Sequence, residues 1–215
     1  MRMERGLLTA GIFAIALSGC ASTTFRATAH RPPSAEITKS NAQVNLPHFS
    51  LMVPPDRGWY LRKGDKTVEG VLVELRHGPP VSATFLMQFM KRDVVDERMK
   101  ASSAQEAADD YRNLEKRTMI EQGVNKGQYR LGDVVMGDEQ VGEKRWYTMK
   151  YTTSASDQNQ TAALYLYFPK QDENSYFILA HYSETLPPGA VIAGSFYDAI
   201  RDDFLEALKS LRVAE

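Results

Sequence analysis

Between residues 68 and 92, apolar and polar positions alternate along the chain. Val71, Val73 and Leu75 fall on one side of an extended backbone and Glu74 and Arg76 on the other, until Gly78-Pro79-Pro80 ends the run. Val81, Ala83, Phe85, Met87 and Phe89 repeat the pattern. A period of two belongs to a strand whose faces meet different surroundings. The two runs are therefore expected as antiparallel neighbours joined through the Gly-Pro-Pro loop. Upstream, Phe49, Leu51 and Val53 alternate as far as Pro54-Pro55, and Trp59-Tyr60-Leu61 follows an Asp-Arg-Gly turn. Each predicts a short strand.

The period changes at Ser103. Ser103 and Glu106 have capping-box spacing, and Ala104, Ala107, Ala108, Tyr111, Leu114 and Thr118 recur at helical intervals. A helix is predicted over 103–122, with Gly123 as its C-cap. Four strands follow near 129–136, 143–153, 161–168 and 175–183, with hairpin breaks at Gly137-Asp138, 154–159 and 170–174. From Ala162 to Phe168 and from Tyr176 to Tyr182 both faces are apolar or aromatic, as in strands covered on both sides. A last helix is predicted over 195–212, N-capped by Ser195, with Phe196, Ile200, Phe204, Leu208 and Leu211 as its apolar stripe. The order strands, helix, meander, helix predicts one α+β domain over 46–215. Its antiparallel β-sheet has about six to seven strands, with two amphipathic helices packed on it.

The first residues follow another pattern. Arg2 and Arg5 precede an uncharged, mostly apolar run from Leu7 to Leu17. That run is shorter than the roughly 20 residues a spanning helix needs, and it fits the apolar core of an export signal. It ends in Leu17-Ser18-Gly19-Cys20, which resembles the lipobox of bacterial lipoproteins. The resemblance implies a signal peptide over 1–19 and a lipid on the thiol of Cys20. It also implies residence in the cell envelope; with Ala21 rather than Asp after the cysteine, that means the outer membrane, facing the periplasm, if the host has two membranes. Residues 20–45 are rich in Ser, Thr, Ala and Asn around Pro32-Pro33, and are expected to be a flexible lipid-anchored tether. A tether of this length has a root-mean-square reach of about 28 Å.

The folded part has a resemblance of its own. An early strand leads to Pro54-Pro55-Asp56-Arg57-Gly58-Trp59. A late strand pair, Leu164–Phe168 and Tyr176–His181, precedes a terminal helix ending Ala207-Leu208-Lys209-Ser210-Leu211. This is similar to the PsbP-like and DcrB-like superfamily. The resemblance implies an α/β/α sandwich and an accessory or assembly role, with no shared catalytic residues.

Composition removes several classes of function. The chain carries −1, and residues 1–19 contribute +1, so the mature chain stands at −2. Nucleic acid is not an expected partner at that charge, since affinity for it comes from neutralising phosphates. Neither a metal nor a cofactor is expected. The four histidines show no helical metal-ligand spacing, and the acidic group Asp133, Asp138, Glu139 and Glu143 reads as a solvated hairpin tip. Gly194-Ser195-Phe196 lacks the frame of a nucleophile elbow. Tyrosine is enriched in binding patches. Tyr147 and Tyr151 share one strand face, as do Tyr165 and Tyr167, so these four are the candidate partner-binding residues, provided no helix covers them. The expectation is a non-enzymatic, membrane-anchored binding or assembly module for an envelope protein. The alternatives are a carrier holding a lipid or small molecule between helix and sheet, and a hydrolase whose site forms only in three dimensions.

Overall fold

The computed structural model describes residues 43–45, 49–54, 59–62, 71–77, 82–95, 103–169, 176–186 and 194–213. Cys20, the signal sequence and most of the expected tether lie outside them.

Seven strands form one antiparallel sheet: β3 (Trp59–Arg62), β4 (Val71–His77), β5 (Ser82–Lys91), β6 (Arg130–Val141), β7 (Lys144–Ser154), β8 (Asn159–Tyr167) and β9 (Tyr176–Leu186). Their order across the sheet is β3-β4-β5-β9-β8-β7-β6. The expected pairing of β4 with β5 is present, with His77 opposite Ala83. A three-stranded sheet adds β1 (Gln43–Asn45), β2 (Phe49–Met52) and β10 (Arg212–Val213), with β2 in the middle. The expected tether thus ends before β1, since Gln43, Val44 and Asn45 pair with Met52, Leu51 and Ser50. Val44 is partly buried against the core, which rewards that pairing.

Two helices cover the large sheet. The first, α1 (Ala104–Met119), opens as predicted. The Ser103 hydroxyl accepts from the Glu106 N–H at 3.3 Å, and the Ser103 N–H donates to the Glu106 carboxylate at 2.9 Å. Its end differs from prediction. The chain passes into a wide turn over Ile120–Val124, and Gly123 serves closeness rather than a left-handed cap: a Cβ there would lie 2.0 Å from the Tyr129 ring. The Tyr129 hydroxyl donates to the Met119 carbonyl at 3.1 Å, occupying an acceptor that the helix end leaves open. The second helix, α2 (Gly194–Ser210), begins one residue before Ser195, so Ser195 lies in its first turn and not ahead of it as a cap.

Helix α1 packs on one face of the large sheet through Ala107, Ala108, Tyr111 and Met119, against Met149, Tyr151, Leu164, Leu166, Phe177 and Leu179. Helix α2 and the small sheet cover the other face. There Phe204, Ala207, Leu208 and Leu211 meet Phe49 and Leu51 of β2, and Phe85, Met87, Trp146, Tyr165, Ile178 and Tyr182 of the large sheet. The layers are therefore helix, sheet, then helix with the small sheet. Strands β8 and β9 are covered on both faces, as their unbroken apolar runs required.

One hairpin is displaced. The turn between β6 and β7 was expected at Gly137-Asp138, but both residues lie within the β6–β7 ladder, opposite Thr148 and Tyr147. The chain turns at Gly142-Glu143, with Val141 opposite Lys144. Gly142 holds φ at +62°, the left-handed value that the first central position of a two-residue hairpin demands. The expected break over 154–159 is present, with Ser154 facing Asn159 across a four-residue loop closed by the Ala155 N–H to the Gln158 carbonyl at 2.9 Å.

Candidate functional site

Polar groups concentrate beneath α1. Tyr111 and Glu115, four residues apart, project from the same face of the helix and are each 4% exposed. Tyr151 of β7 is buried in the same layer, and its hydroxyl lies 3.3 Å from Nε2 of half-buried His181 on β9. Burial sets the protonation of these groups, because an apolar layer disfavours charge. It pushes the Glu115 carboxyl up to about 8 and holds the His181 imidazole down to about 4. The Tyr111 hydroxyl is pushed well above the usual phenol range by burial, and then by the nearness of Glu115 and Tyr151. At neutral pH the Glu115 carboxyl keeps its proton, the His181 imidazole is neutral and the Tyr111 phenol is un-ionised. The Tyr151–His181 contact links β7 to β9 across β8, beneath the helix.

Arg112, buried on the same helix, is the residue that ties α1 to the sheet. Its Nη1 donates to the Gly137 carbonyl at 2.8 Å and the Thr148 carbonyl at 3.0 Å, and its Nη2 bonds Asp109 on the same helix. The guanidinium also sits 6.0 Å from the centre of the Tyr147 ring. The Gly137 and Thr148 bonds anchor α1 to the β6–β7 hairpin. Hydrogen-bonded charges of this kind contribute more than neutral pairs.

The opposite layer surrounds Phe204 of α2. Its ring lies 4.9 Å from Phe85, 5.2 Å from Tyr165 and 4.9 Å from Tyr182. The hydroxyls at the rim of this cluster are engaged: Tyr165 donates to Glu139 at 3.0 Å, and Tyr182 donates to Glu184. The Trp59 indole N–H donates to Asp203 of α2 at 3.0 Å.

The four candidate tyrosines divide between these layers. Tyr147 and Tyr151 lie on the α1 face, Tyr165 and Tyr167 on the α2 face. The condition set on them was an uncovered face, and it is not met for the inner pair. Tyr151 is packed under α1, and Tyr165, 2% exposed, is packed against α2. Tyr147 and Tyr167 remain half-buried at the rims, Tyr147 beside Phe168 and Arg145, Tyr167 tilted on Trp146 at 5.3 Å. The acidic group does not converge either. Asp138 pairs with Arg145 at 3.1 Å and Glu139 with Lys150, across the hairpin. Among the described residues no cluster of His, Cys, Asp and Glu is arranged to hold a metal, and no helix is long and apolar enough to cross a membrane.

Sequence patterning missed Arg112, Glu115 and His181. Its helical stripe took Leu114 and Thr118, yet Glu115 shares a face with Tyr111 by simple i,i+4 spacing. That coincidence was the available signal.

No protein-family model matches the chain, and no curated protein matches it in sequence. Solved structures resemble it at low identity. Cyanobacterial PsbP from Synechocystis aligns over 85% of this chain and 97% of its own, at 14% identity and a TM-score of 0.44. LpqN, involved in cell envelope biogenesis of Mycobacterium tuberculosis, aligns over 81% of this chain and 90% of its own, at 9% identity and a TM-score of 0.42. A protein of Bacteroides thetaiotaomicron aligns over 78% of this chain at 13% identity and a TM-score of 0.39; the chain spans 45% of that protein.

Proposed function

We propose that this chain is a non-enzymatic binding module of the bacterial envelope, held at a membrane by lipid on Cys20. The observation that supports it most is the use the interior makes of its reactive side chains. Tyr151 engages His181, Tyr165 engages Glu139, Tyr182 engages Glu184 and Arg112 holds two backbone carbonyls. Each of these bonds joins elements of the fold or braces a strand beneath a helix. These bonds stay within the fold, which supports a role carried by the outer surface. The tether suits this arrangement, because a reach of about 28 Å lets a domain stand off the bilayer and meet a membrane-bound partner.

Crosslinking in cells, followed by mass spectrometry of what co-purifies, tests the reading. One dominant envelope protein is expected on the wild-type chain, and its loss on the Cys20→Ala chain. Recovery of abundant bystanders alone, equal with and without the anchor, would overturn it.

A further inference from the structure

At one end of the large sheet, aromatic and basic side chains share the face that α2 and the small sheet cover. Lys91 stands opposite Tyr176 in the last pair of β5 and β9. One pair inward on that face, Phe89, Ile178 and Tyr167 lie side by side across β5, β9 and β8. Tyr167 leans on Trp146 of β7, and Lys144 stands two residues from Trp146 on the same face. The Phe89 and Tyr176 rings stack at 4.9 Å, with the Lys91 ammonium 5.7 Å from the Tyr176 ring centre. Phe89, Tyr167 and Val213 of β10 are only partly buried against the core cluster of this layer. Burial holds the Lys144 ammonium below the usual lysine range; Glu143 pulls it back up, and Arg212 of β10 is near enough to push it down. None of the ion pairs formed among the described residues uses Lys91, Lys144 or Arg212.

We infer that this end of the sheet settles into the headgroup layer of the anchoring membrane, with Phe89, Tyr167 and Tyr176 at headgroup depth and Lys91, Lys144 and Arg212 on lipid phosphates. This contact rests on the anchored reading of the chain and adds a second hold on the same membrane. Tyrosines have an apolar body and a polar tip, and long basic side chains beside them suit the boundary between hydrocarbon and water. A phosphate would also relieve the repulsion between Lys144 and Arg212. The path of the chain selects a membrane over another protein. Residues 21–42 run from Cys20 to β1, and β1 belongs, with β10 and its Arg212, to the small sheet on this same face. The anchor therefore reaches the domain through the layer that carries the aromatic and basic end. A tether with a reach of about 28 Å keeps that end at roughly millimolar effective concentration over the lipid, so weak contacts suffice.

The test uses the full lipidated chain in vesicles of phosphatidylethanolamine and phosphatidylglycerol, with lysine acylation read residue by residue in a mass spectrometer. Relative to the Cys20→Ala chain free in buffer, acylation of Lys91 and Lys144 is expected to slow at least threefold, with Lys116, Lys126 and Lys150 unchanged. Lys144→Glu, its fold checked by circular dichroism, is expected to restore the acylation of Lys91. Rates equal to those in buffer, or equal slowing at all five lysines, overturn the contact. Slowing of Lys91 and Lys144 that appears without vesicles as protein concentration rises would give this end to a second copy and overturn it too. A lipid-bearing Cys20 with Lys91 and Lys144 unprotected would leave the anchored reading standing while the contact falls. An unlipidated wild-type chain whose two lysines are still protected by added vesicles would do the reverse.

Discussion

Arg112 and Glu115 sit on the same buried stripe of α1 and solve the cost of burial differently. Arg112 keeps its charge by bonding two carbonyls and Asp109, whereas Glu115 gives its charge up. Arg112→Ala is expected to cost about 2–3 kcal/mol in urea unfolding, the scale of lost charge-assisted bonds plus lost packing. Glu115 and His181 make stability depend on pH in opposite senses. The Glu115 carboxyl, raised from 4.5 to about 8, keeps a proton in the fold that the unfolded chain releases, so stability falls as pH rises from 4.5 toward 8. The imidazole, lowered from 6.5 to about 4, refuses a proton that the unfolded chain binds, so stability falls as pH drops from 6.5 toward 4. The two slopes cancel between 4.5 and 6.5. Above that plateau only Glu115 acts, at about 1.4 kcal/mol per pH unit. Its ionisable neighbour on the same helix face is Tyr111, whose hydroxyl the nearness of Glu115 pushes further up. Unfolding measured from pH 5 to 8 should show a flat region and then a decline, and Glu115→Gln should remove the decline. A decline unchanged in Glu115→Gln would place its origin elsewhere.

At the scale of the element, local chemistry was legible where it is self-contained. The capping box at Ser103 needs only residues 103–106, and it formed. Ser103→Ala is expected to cost about 1 kcal/mol, read as a fall in melting temperature. The π-turn after α1 was not legible, because it depends on Tyr129 reaching back over Gly123, beyond any helical window. The β6–β7 turn was misplaced for a similar reason. Gly137-Asp138 is a turn dipeptide in isolation, but the carbonyl of Gly137 is claimed by Arg112 from another element. Gly142-Glu143 carries no such local signal beyond its glycine, and that glycine holds the positive φ.

For the whole molecule, α2 joins what the chain order separates. Phe204 packs against β5, β8 and β9 within the core cluster that also holds Phe49 and Leu51 of the small sheet. The Met52 N–H donates to Ser210 of α2 at 2.8 Å, and β10, just after the helix, pairs with β2. Phe204→Ala is expected to cost roughly 3–5 kcal/mol by equilibrium denaturation, the range for removing a buried phenylalanine. Sequence period alone conveyed the layers, since two amphipathic stripes and two all-apolar strands admit a covered sheet and little else. It did not convey that Tyr151 and Tyr165 would be inside, because alternation shows which residues share a face and not what lies over that face. The small sheet was hidden for the same reason: Gln43–Asn45 reads as polar tether until β2 is beside it.

Membrane attachment through Cys20 is the premise of the proposed role. Mass spectrometry of the mature N-terminal peptide from the membrane fraction tests that most directly. The predicted result is a peptide beginning at Cys20 and carrying a diacylglyceryl mass, with Cys20→Ala leaving the membrane fraction. A chain that keeps residues 1–19, or one cleaved elsewhere without lipid and recovered free of membrane, would contradict it.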